Sequence, residues 1–322
     1  MDNNKLIQTT QTQAVEAYLI SIIYRNSKTN STTVSALCPW VSHDTINRML
    51  AESKDWSKRL VEKLTKREMG KGGYLILDDT SWAKWTKSVK WVGYVWSGSV
   101  SKAIYGMQVV MLVWTDGKVR LPIAIEVYQE DGPSKIKIAK RMLKKAQSWG
   151  IVPKYVLFDS WYAAEDLLNY LDNLGWKYIT RVKSNRKFNG KSLSSTWPHC
   201  YGRSIGKLKQ VGHRVVIIKS GRKYFASNCT RLLAKELKFH YRIRQQIEET
   251  FRLLKQEFGW GYCKARNLSS QLAHLYFGIL ALLFSQWMSK VNNLSIYQFK
   301  RNLFLAPVPN QIPDFHLFRK AA

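Results

Sequence analysis

One segment of the sequence carries a carboxylate among basic and aromatic side chains at helical spacing. With about 100° of rotation per residue, one side of a helix would present Tyr241, Arg244, Glu248, Arg252 and Lys255. Phenol, guanidinium and ammonium groups donate to phosphate oxygens, and a carboxylate can hold a divalent cation. The segment therefore predicts chemistry on nucleic acid, while the alternative is a solvated helix with an ordinary Arg244–Glu248 ion pair.

A second side of the same segment is apolar and consists of Ile247, Phe251, Leu254 and Phe258. This pattern predicts one amphipathic helix, over residues 241–258, that packs on a core. Glu249 is rotated by about 100° from Glu248. We therefore expect Glu248, and not Glu249, to work in the site.

Further carboxylates follow two predicted strands. Asp78 and Asp79 come after the apolar run of residues 74–77, and Asp159 comes after residues 154–158. If these strands are parallel neighbours, their ends meet, and Asp79, Asp159 and Glu248 can form an oxygen cage suited to Mg²⁺. Two such ions about 3.5 to 4 Å apart would activate a water or a 3′ hydroxyl for in-line phosphoryl transfer. The alternative is that each aspartate caps the next turn or helix, and that Glu248 only forms a surface pair.

The sequence also predicts the strands and helices that must position these acids. Alternating strands and helices predict strands at 74–77, 105–114 and 119–128, a helix at 134–149, a strand at 154–158, a helix at 163–174 and a strand at 176–182. The Asp116-Gly117 turn makes the second and third strands a hairpin. Residues 183–235 are mainly β-like and are interpreted as an insertion, and the apolar run 272–288 predicts a buried helix.

The first 70 residues are predicted to be helical. Within them, residues 32–50 indicate two short helices and a helix-turn-helix candidate. Ser42 would cap the second helix, leaving Thr45, Asn47 and Arg48 to contact DNA. An ordinary helical hairpin is the alternative.

Charge favours a polyanionic partner. The 322-residue chain has 51 Lys and Arg against 22 Asp and Glu, a formal charge of +29, which opposes compaction unless it is neutralised. These cations run through the whole chain instead of forming one membrane-binding tail, so DNA is expected and a membrane is not. Four scattered cysteines and a polar amino terminus predict a reduced, cytoplasmic protein.

The spacing of the late helix resembles a known family signature. Tyr241, two residues, Arg244, three residues, Glu248, six residues, Lys255 matches the signature of the insertion-sequence-4 superfamily of bacterial DDE transposases. The segments 77–80 and 158–162 look like the first and second acid motifs of that superfamily, so the resemblance covers about residues 74–285. It favours Asp79 over Asp78, because Asp79 directly precedes Thr80.

The resemblance implies an α/β, ribonuclease H-like mixed-sheet core with a β-rich insertion before the last catalytic helix. It also implies Mg²⁺-dependent cleavage at transposon terminal inverted repeats, with Mn²⁺ as a substitute, and joining of the 3′ ends to target DNA by a homodimer or higher oligomer. Asp79, Asp159 and Glu248 would be ligands. Tyr241, Arg244 and Lys255 would hold phosphates. Trp197 would stack on a displaced base or, alternatively, cover the core of the insertion.

These features predict five regions. They are a helical DNA-binding region (1–70), two parts of the catalytic core (71–182 and 236–290), the β-rich insertion (183–235) and a tail (291–322). Two other functions stay open, namely a catalytically inactive DNA-binding regulator derived from such an enzyme and a host nuclease of the same fold.

Overall fold

A mixed β-sheet forms the centre of the molecule. The computed structural model describes residues 3–25, 29–70, 72–84, 89, 91–98, 100–197 and 201–309. The strands in this part of the chain are β1 Tyr74–Ala83, β2 Gly93–Ser97, β3 Lys102–Thr115, β4 Arg120–Tyr128, β5 Tyr155–Phe158, β6 Tyr178–Val182, β7 Lys187–Phe188, β8 Lys191–Ser192, β9 Tyr201–Gly206, β10 Val215–Ser220 and β11 Lys223–Ser227.

Helices cover both faces of the sheet and form a separate helical layer. They are α1 Asn3–Tyr24, α2 Ser31–Leu37, α3 His43–Glu52, α4 Lys54–Glu68, α5 Lys135–Ser148, α6 Glu165–Asn173, α7 Leu193–Thr196, α8 Ala234–Arg242, α9 Gln245–Gln256, α10 Leu268–Val291 and α11 Ile296–Leu305. The alternation of strands and helices confirms the α/β prediction.

The order of the central strands is β4-β3-β1-β5-β6. β1 is antiparallel to β3 and parallel to β5, and β5 is parallel to β6. All four residues of β5 are buried, as expected for a parallel strand covered on both faces. The hairpin predicted at Asp116-Gly117 joins β3 to β4.

The end of β1 differs from the prediction. The strand was expected to stop at the acids, but it continues to Ala83 because β3 pairs with it as far as Gly106. Its parallel partner β5 is shorter, and the last β1–β5 pair joins Leu77 to Phe158. The next residues on the two strands are Asp78 and Asp159, so the register sets these two acids side by side.

The two faces of β1 meet different helices. Asp78 bonds to Arg244 at the α8–α9 junction, and Asp79 bonds to Lys135 of α5. Successive side chains of a strand point to opposite faces. Therefore α5 lies on one face of the sheet, and α8 and α9 lie on the other.

The late helix is broken where one continuous helix was predicted. α8 ends at Arg242 and α9 begins at Gln245. Between them, Ile243 and Arg244 donate to the carbonyls three residues earlier, which is the tighter 3₁₀ pattern. The prediction of a single helix over 241–258 was therefore wrong, because helical periodicity does not reveal a local change of pitch.

The helical layer is built around α10. This helix is long and apolar enough to cross a membrane by length and composition, but 83% of its apolar window is buried inside the protein, as predicted for a buried helix. His274 of α10 contacts Tyr18 of α1 at 2.8 Å and the carbonyl of Gly259 at 2.9 Å. Burial lowers the pKa of His274 to about 4, so its neutral ring accepts from Tyr18 and donates to Gly259.

The helix pair at residues 31–52 agrees with the sequence in its local details. Ser42 caps α3 by accepting from the backbone N–H of Thr45. Asn47 and Arg48 are exposed, while Thr45 is half-buried. α3 also packs on α10 and α1. The DNA-binding role of this pair stays a prediction.

Residues 183–235 contain a small β7–β8 hairpin, α7 and three strands that join the main sheet. β11 pairs with β6, β10 with β11, and β9 with β10, so these strands extend the central sheet. Three elements were missed, namely β2, the short helix α7 within the β-like region, and α11, which lies in the predicted tail. The tail beyond residue 309 lies outside the described residues.

Candidate functional site

Asp78 is a largely buried carboxylate at the end of the β1–β5 pairing, with its side chain 16% exposed. Its Oδ2 accepts from Arg244 Nη1 at 2.7 Å, and its Oδ1 accepts from the backbone N–H of Asp79 at 2.9 Å. Burial raises its pKa to about 7, against the lowering effect of Arg244, and the charges of Asp159 and Asp79 raise it further. The site therefore concentrates negative charge that one arginine only partly offsets.

Arg244 connects Asp78 to Glu248. One of its guanidinium nitrogens bonds to Asp78 and the other to Glu248. The side chain of Glu248 is 53% exposed, so this carboxylate is open to solvent and to substrate. The tight turn before α9 brings Arg244 to this bridging position, since it lies between two helices that pack on the same sheet face.

Asp159 occupies the first position after β5. Its Oδ1 accepts from the backbone N–H groups of Trp161 and Tyr162, at 2.8 and 3.3 Å, so it caps its own turn as the alternative had anticipated. Within the described part of the chain, no group donates a hydrogen bond to Oδ2. The same carboxylate can thus fix its loop with one oxygen and offer the other to a ligand.

Asp79 lies on the opposite face from Glu248. Its carboxylate accepts from Lys135 Nζ at 3.2 Å, from the Tyr162 hydroxyl at 2.7 Å and from Gln108 Nε2. The expectation that Asp79 shares a face with Glu248 is wrong. The preference for Asp79 rested on its position before Thr80, whereas strand alternation turns Asp78 toward Arg244.

Tyr241 lies in the same area but on α8. Its hydroxyl donates to the carbonyl of Phe158 at 3.3 Å, and its ring packs edge-on against Phe225 at 5.2 Å. Burial raises the pKa of Tyr241 to about 12. The side chain is thus a protonated donor fixed over the end of β5, one residue before Asp159.

Lys255 and Arg252 do not form one exposed stripe with Glu248. Lys255 Nζ donates to the carbonyl of Ser81 on β1 at 2.8 Å, and burial lowers its pKa to about 8. Arg252 instead pairs with Glu249, whose other oxygen accepts from Tyr297 of α11 at 2.8 Å. Glu249 therefore faces away from the site, as expected.

The remaining predicted contacts lie elsewhere. Trp197 is half-buried and stacks on Phe188 at 5.8 Å, with Tyr224 at 6.2 Å, so it covers the small core formed by residues 183–235. Asn47 and Arg48 lie on α3 in the helical layer. No described hydrogen bond or ion pair joins these residues to the acids.

The donor set of the site fits a divalent cation. Within the described residues no ready-made group of three metal-ligating side chains is present, and the Arg244 guanidinium bonds to both Asp78 and Glu248. When ionised, Asp78, Asp159 and Glu248 together with Arg244 carry two net negative charges. Hard carboxylate oxygens in such an arrangement are the ligands that Mg²⁺ prefers.

Sequence reasoning did not place Asp78 beside Asp159 and Arg244, although a usable signal was present. Phe158 is the last apolar residue before Asp159, and Leu77 is the last before Asp78. Aligning the ends of these two apolar runs would have set Asp78 level with Asp159.

Comparisons with known proteins agree with this fold. Residues 70–284 match the model of the family described as "Transposase DDE domain". The structure is similar to the piggyBac transposase, solved by cryo-EM as a synaptic complex with hairpin DNA, with a TM-score of 0.58 and 11% identity over 97% of this chain and 73% of that chain. No curated protein sequence matched.

Two further structural likenesses are too weak to carry an argument. One is to the NurA nuclease from Sulfolobus solfataricus, with a TM-score of 0.28 and 11% identity over 62% of this chain and 85% of that chain. The other is to the Mos1 transposase paired-end complex with left transposon end, with a TM-score of 0.21 and 14% identity over 47% of this chain and 53% of that chain. The family model, in contrast, spans well over half of the chain, and the protein therefore belongs to the DDE transposase domain family.

Proposed function

We propose that this transposase cuts DNA at the ends of its own insertion sequence and joins the freed 3′ ends to target DNA, with Asp78, Asp159 and Glu248 as the residues that hold divalent metal. The observation that carries the proposal is the meeting of these acids. Asp78 and Asp159 follow the last β1–β5 pair, and Arg244 joins Asp78 to Glu248.

The metal would supply what the side chains lack. Bound Mg²⁺ or Mn²⁺, as two ions, would activate the attacking water or 3′ hydroxyl and stabilise the leaving oxygen. The protein's own part is to hold three carboxylates on one sheet face. Because Asp159 uses Oδ1 for its turn, its loop keeps Oδ2 in place.

Arg244 is the residue most suited to hold the reacting phosphate. Its guanidinium now donates to two carboxylates, and a phosphate presents the same kind of paired oxygen acceptors. Arg244 can therefore exchange Asp78 or Glu248 for a phosphate when those acids bind metal. Tyr241 and Lys255 would position the acids and not hold phosphate directly. Tyr241 donates to a backbone carbonyl of β5 and Lys255 to one of β1, the strands that lead to Asp159 and Asp78.

DNA binding and assembly complete the proposal. The charge of +29 suits the terminal repeats and the target DNA, and Asn47 and Arg48 are exposed on the helix-turn-helix candidate. Pairing of two DNA ends calls for a homodimer or higher oligomer. The bacterial insertion-sequence-4 assignment, the insertion at 183–235 and the cytoplasmic location are part of the same proposal.

The test is cleavage of the inverted repeats that flank the gene, with purified protein and Mg²⁺ or Mn²⁺. We expect nicking by the parent and none by Asp159→Asn or Glu248→Gln. Glu249→Gln is the matched control, because Glu249 is the neighbouring acid that faces α11, and it should cut like the parent. Equal cutting by all four proteins would refute the proposed site, and tight DNA binding without any cutting would favour a DNA-binding regulator.

A further inference from the structure

An open groove of about 350 Å³ includes Glu248 and lies against strands of the sheet. Arg244 and Glu248 line one end, strands β6 and β11 form one wall, and α8 forms the other. Resting on the function proposed above, we propose that this groove binds the phosphate backbone of the DNA strand that leads to the reacting phosphate. The binding residues would be Arg181, Lys223, Lys238 and Arg242.

The wall formed by the sheet presents two cations on the correct face. Arg181 of β6 pairs directly with Phe225 of β11, and directly paired residues share a face. Lys223 is two residues from Phe225, so it points to the same side. Both Arg181 and Lys223 are exposed and line the groove.

The opposite wall repeats the arrangement on a helix. Lys238 and Arg242 are four residues apart on α8, which places them on one side of the helix. Lys238 lies over the ring of Tyr201 at 5.8 Å, and Tyr201 is itself 71% exposed. The helical wall therefore carries two cations, one of which also contacts an exposed aromatic ring of β9.

In the described part of the chain, none of these four cations forms an ion pair. Among the described residues, no carboxylate lies within 4.0 Å of the charged groups of Arg181, Lys223, Lys238 or Arg242. Several basic side chains of α5, in contrast, are paired, as in Lys140–Asp166, Arg141–Glu126 and Lys145–Glu62. Clustered like charges repel one another unless an anion neutralises them.

The floor of the groove favours a nucleic-acid strand over a small anion. Phe225 and Tyr241 form an apolar base with ring centroids 5.2 Å apart, flanked by cations on both sides. Sugars can lie over such rings while successive phosphates reach the two walls. A single phosphate would occupy only one of these positions.

The test compares two double variants with equal loss of charge. Arg181→Ala with Lys223→Ala removes two cations of the groove. Lys137→Ala with Lys144→Ala removes two exposed lysines of α5, on the other sheet face. Binding to a fluorescent duplex of the terminal repeat is measured in EDTA across a range of salt concentrations.

Affinity for DNA falls as salt rises, and we expect this fall to be less steep for the groove variant. The slope of log affinity against log salt should decrease in magnitude by about 1.8, at about 0.9 for each lost phosphate contact. The affinity of the variant for the duplex should then be roughly 60-fold lower than that of the parent at 0.1 M salt and nearly the same at 1 M. The α5 variant should keep the slope of the parent. Lys238→Ala with Arg242→Ala, on the other wall, should reproduce the loss.

The outcomes separate this inference from the proposed function. If both groove variants keep the slope of the parent while the parent cuts and Asp159→Asn does not, the groove proposal is overturned and the proposed function stands. An equal loss in the α5 variant also overturns it, since the effect would then be one of net charge. If the parent neither binds nor cuts the repeat, both the groove proposal and the proposed function are wrong.

Discussion

The two faces of β1 carry adjacent carboxylates in contrasting surroundings. Asp78 meets a guanidinium that it shares with the solvent-exposed Glu248. Asp79 is enclosed by Lys135, Tyr162 and Gln108, and its ion pair with Lys135 leaves the two side chains 14% and 11% exposed. The two aspartates are about equally buried, at 16% and 14% exposure, and the faces differ in their other groups. We call the Asp78 side the open face, because Glu248 there is 53% exposed, and the Asp79 side the closed face, because Asp79 has three side-chain donors.

This contrast explains how one strand can serve chemistry and stability at once. A ligand for a metal must be able to change partners, as Asp78 would in the proposed function if Arg244 moved to a phosphate. A structural ion pair must keep its partners, because breaking it leaves a buried charge. Tyr162 donates to Asp79 through its hydroxyl and to Asp159 through its backbone N–H. The closed face thereby holds the loop that presents the second acid to the open face.

The largest expected effect is on cleavage. Asp78→Asn should lower cleavage of the terminal repeat at least about a thousandfold, or about 4 kcal/mol in activation free energy, because it removes one of the three proposed metal ligands. Asp79→Asn should stay within about tenfold of the parent at a temperature where it is folded. Single-turnover cleavage assays measure both.

The reverse result would overturn the comparison between the faces. If Asp79→Asn were inactive while folded and Asp78→Asn cut normally, the ligand would be Asp79. The sequence-based choice would then hold despite the geometry.

The second effect is on stability, and here Asp79→Asn should be the more damaging of the two variants. Asp79→Asn should lower the free energy of unfolding by about 3 kcal/mol, because Lys135 would be left buried without its partner. Adding Lys135→Met should recover most of this loss. Asp78→Asn should change stability less, since Arg244 keeps Glu248. Urea denaturation in EDTA provides the values, and equal losses in the two single variants would contradict the assignment of a structural role to Asp79 alone.

A third prediction concerns pH in the metal-free protein. Burial raises the pKa of Asp78 from 3.8 to about 7, so between these values the folded state keeps a proton that the unfolded chain releases. The contribution of Asp78 to the free energy of unfolding therefore falls as pH rises through this window, by up to about 1.4 kcal/mol per pH unit.

Urea denaturation of the parent and of Asp78→Asn between about pH 4 and 8 measures this difference. The parent should lose stability relative to the variant as pH rises toward 7. Parallel stability curves would show that Asp78 is not desolvated in the way described.

The features that were predicted correctly depend on local signals. The apolar runs of β1 and β5, the turn at Asp116-Gly117, the Ser42 cap and the apolar helix α10 are each specified by a few neighbouring residues. That Glu248, and not Glu249, lies beside Arg244 also follows from helical rotation. Such signals survive folding because the tertiary contacts reinforce them.

The features that were missed depend on distant partners. Which of Asp78 and Asp79 faces Arg244 is decided by the pairing of β1 with β5 and by the helix above them. Lys255 bonds to the carbonyl of Ser81, which lies 174 positions away in the sequence. The residues next to Lys255 therefore do not predict its contact with β1. The break at Ile243 lies in a segment whose apolar spacing is continuous with α9, and periodicity therefore does not reveal it.

The smallest effect tests whether the faces are truly separate. Lys135 Nζ lies 3.9 Å from the ring centre of Trp161, which is 46% exposed. Trp161→Leu should cost about 0.5 to 1 kcal/mol of stability through loss of this cation–π contact. Cleavage should be unchanged, because Trp161 covers the closed face although it is only two residues from Asp159. If the variant were as stable as the parent but cut more than about tenfold more slowly, Trp161 would belong to the DNA-binding surface. The boundary between the two faces would then lie at the β5–α6 loop and not at β1.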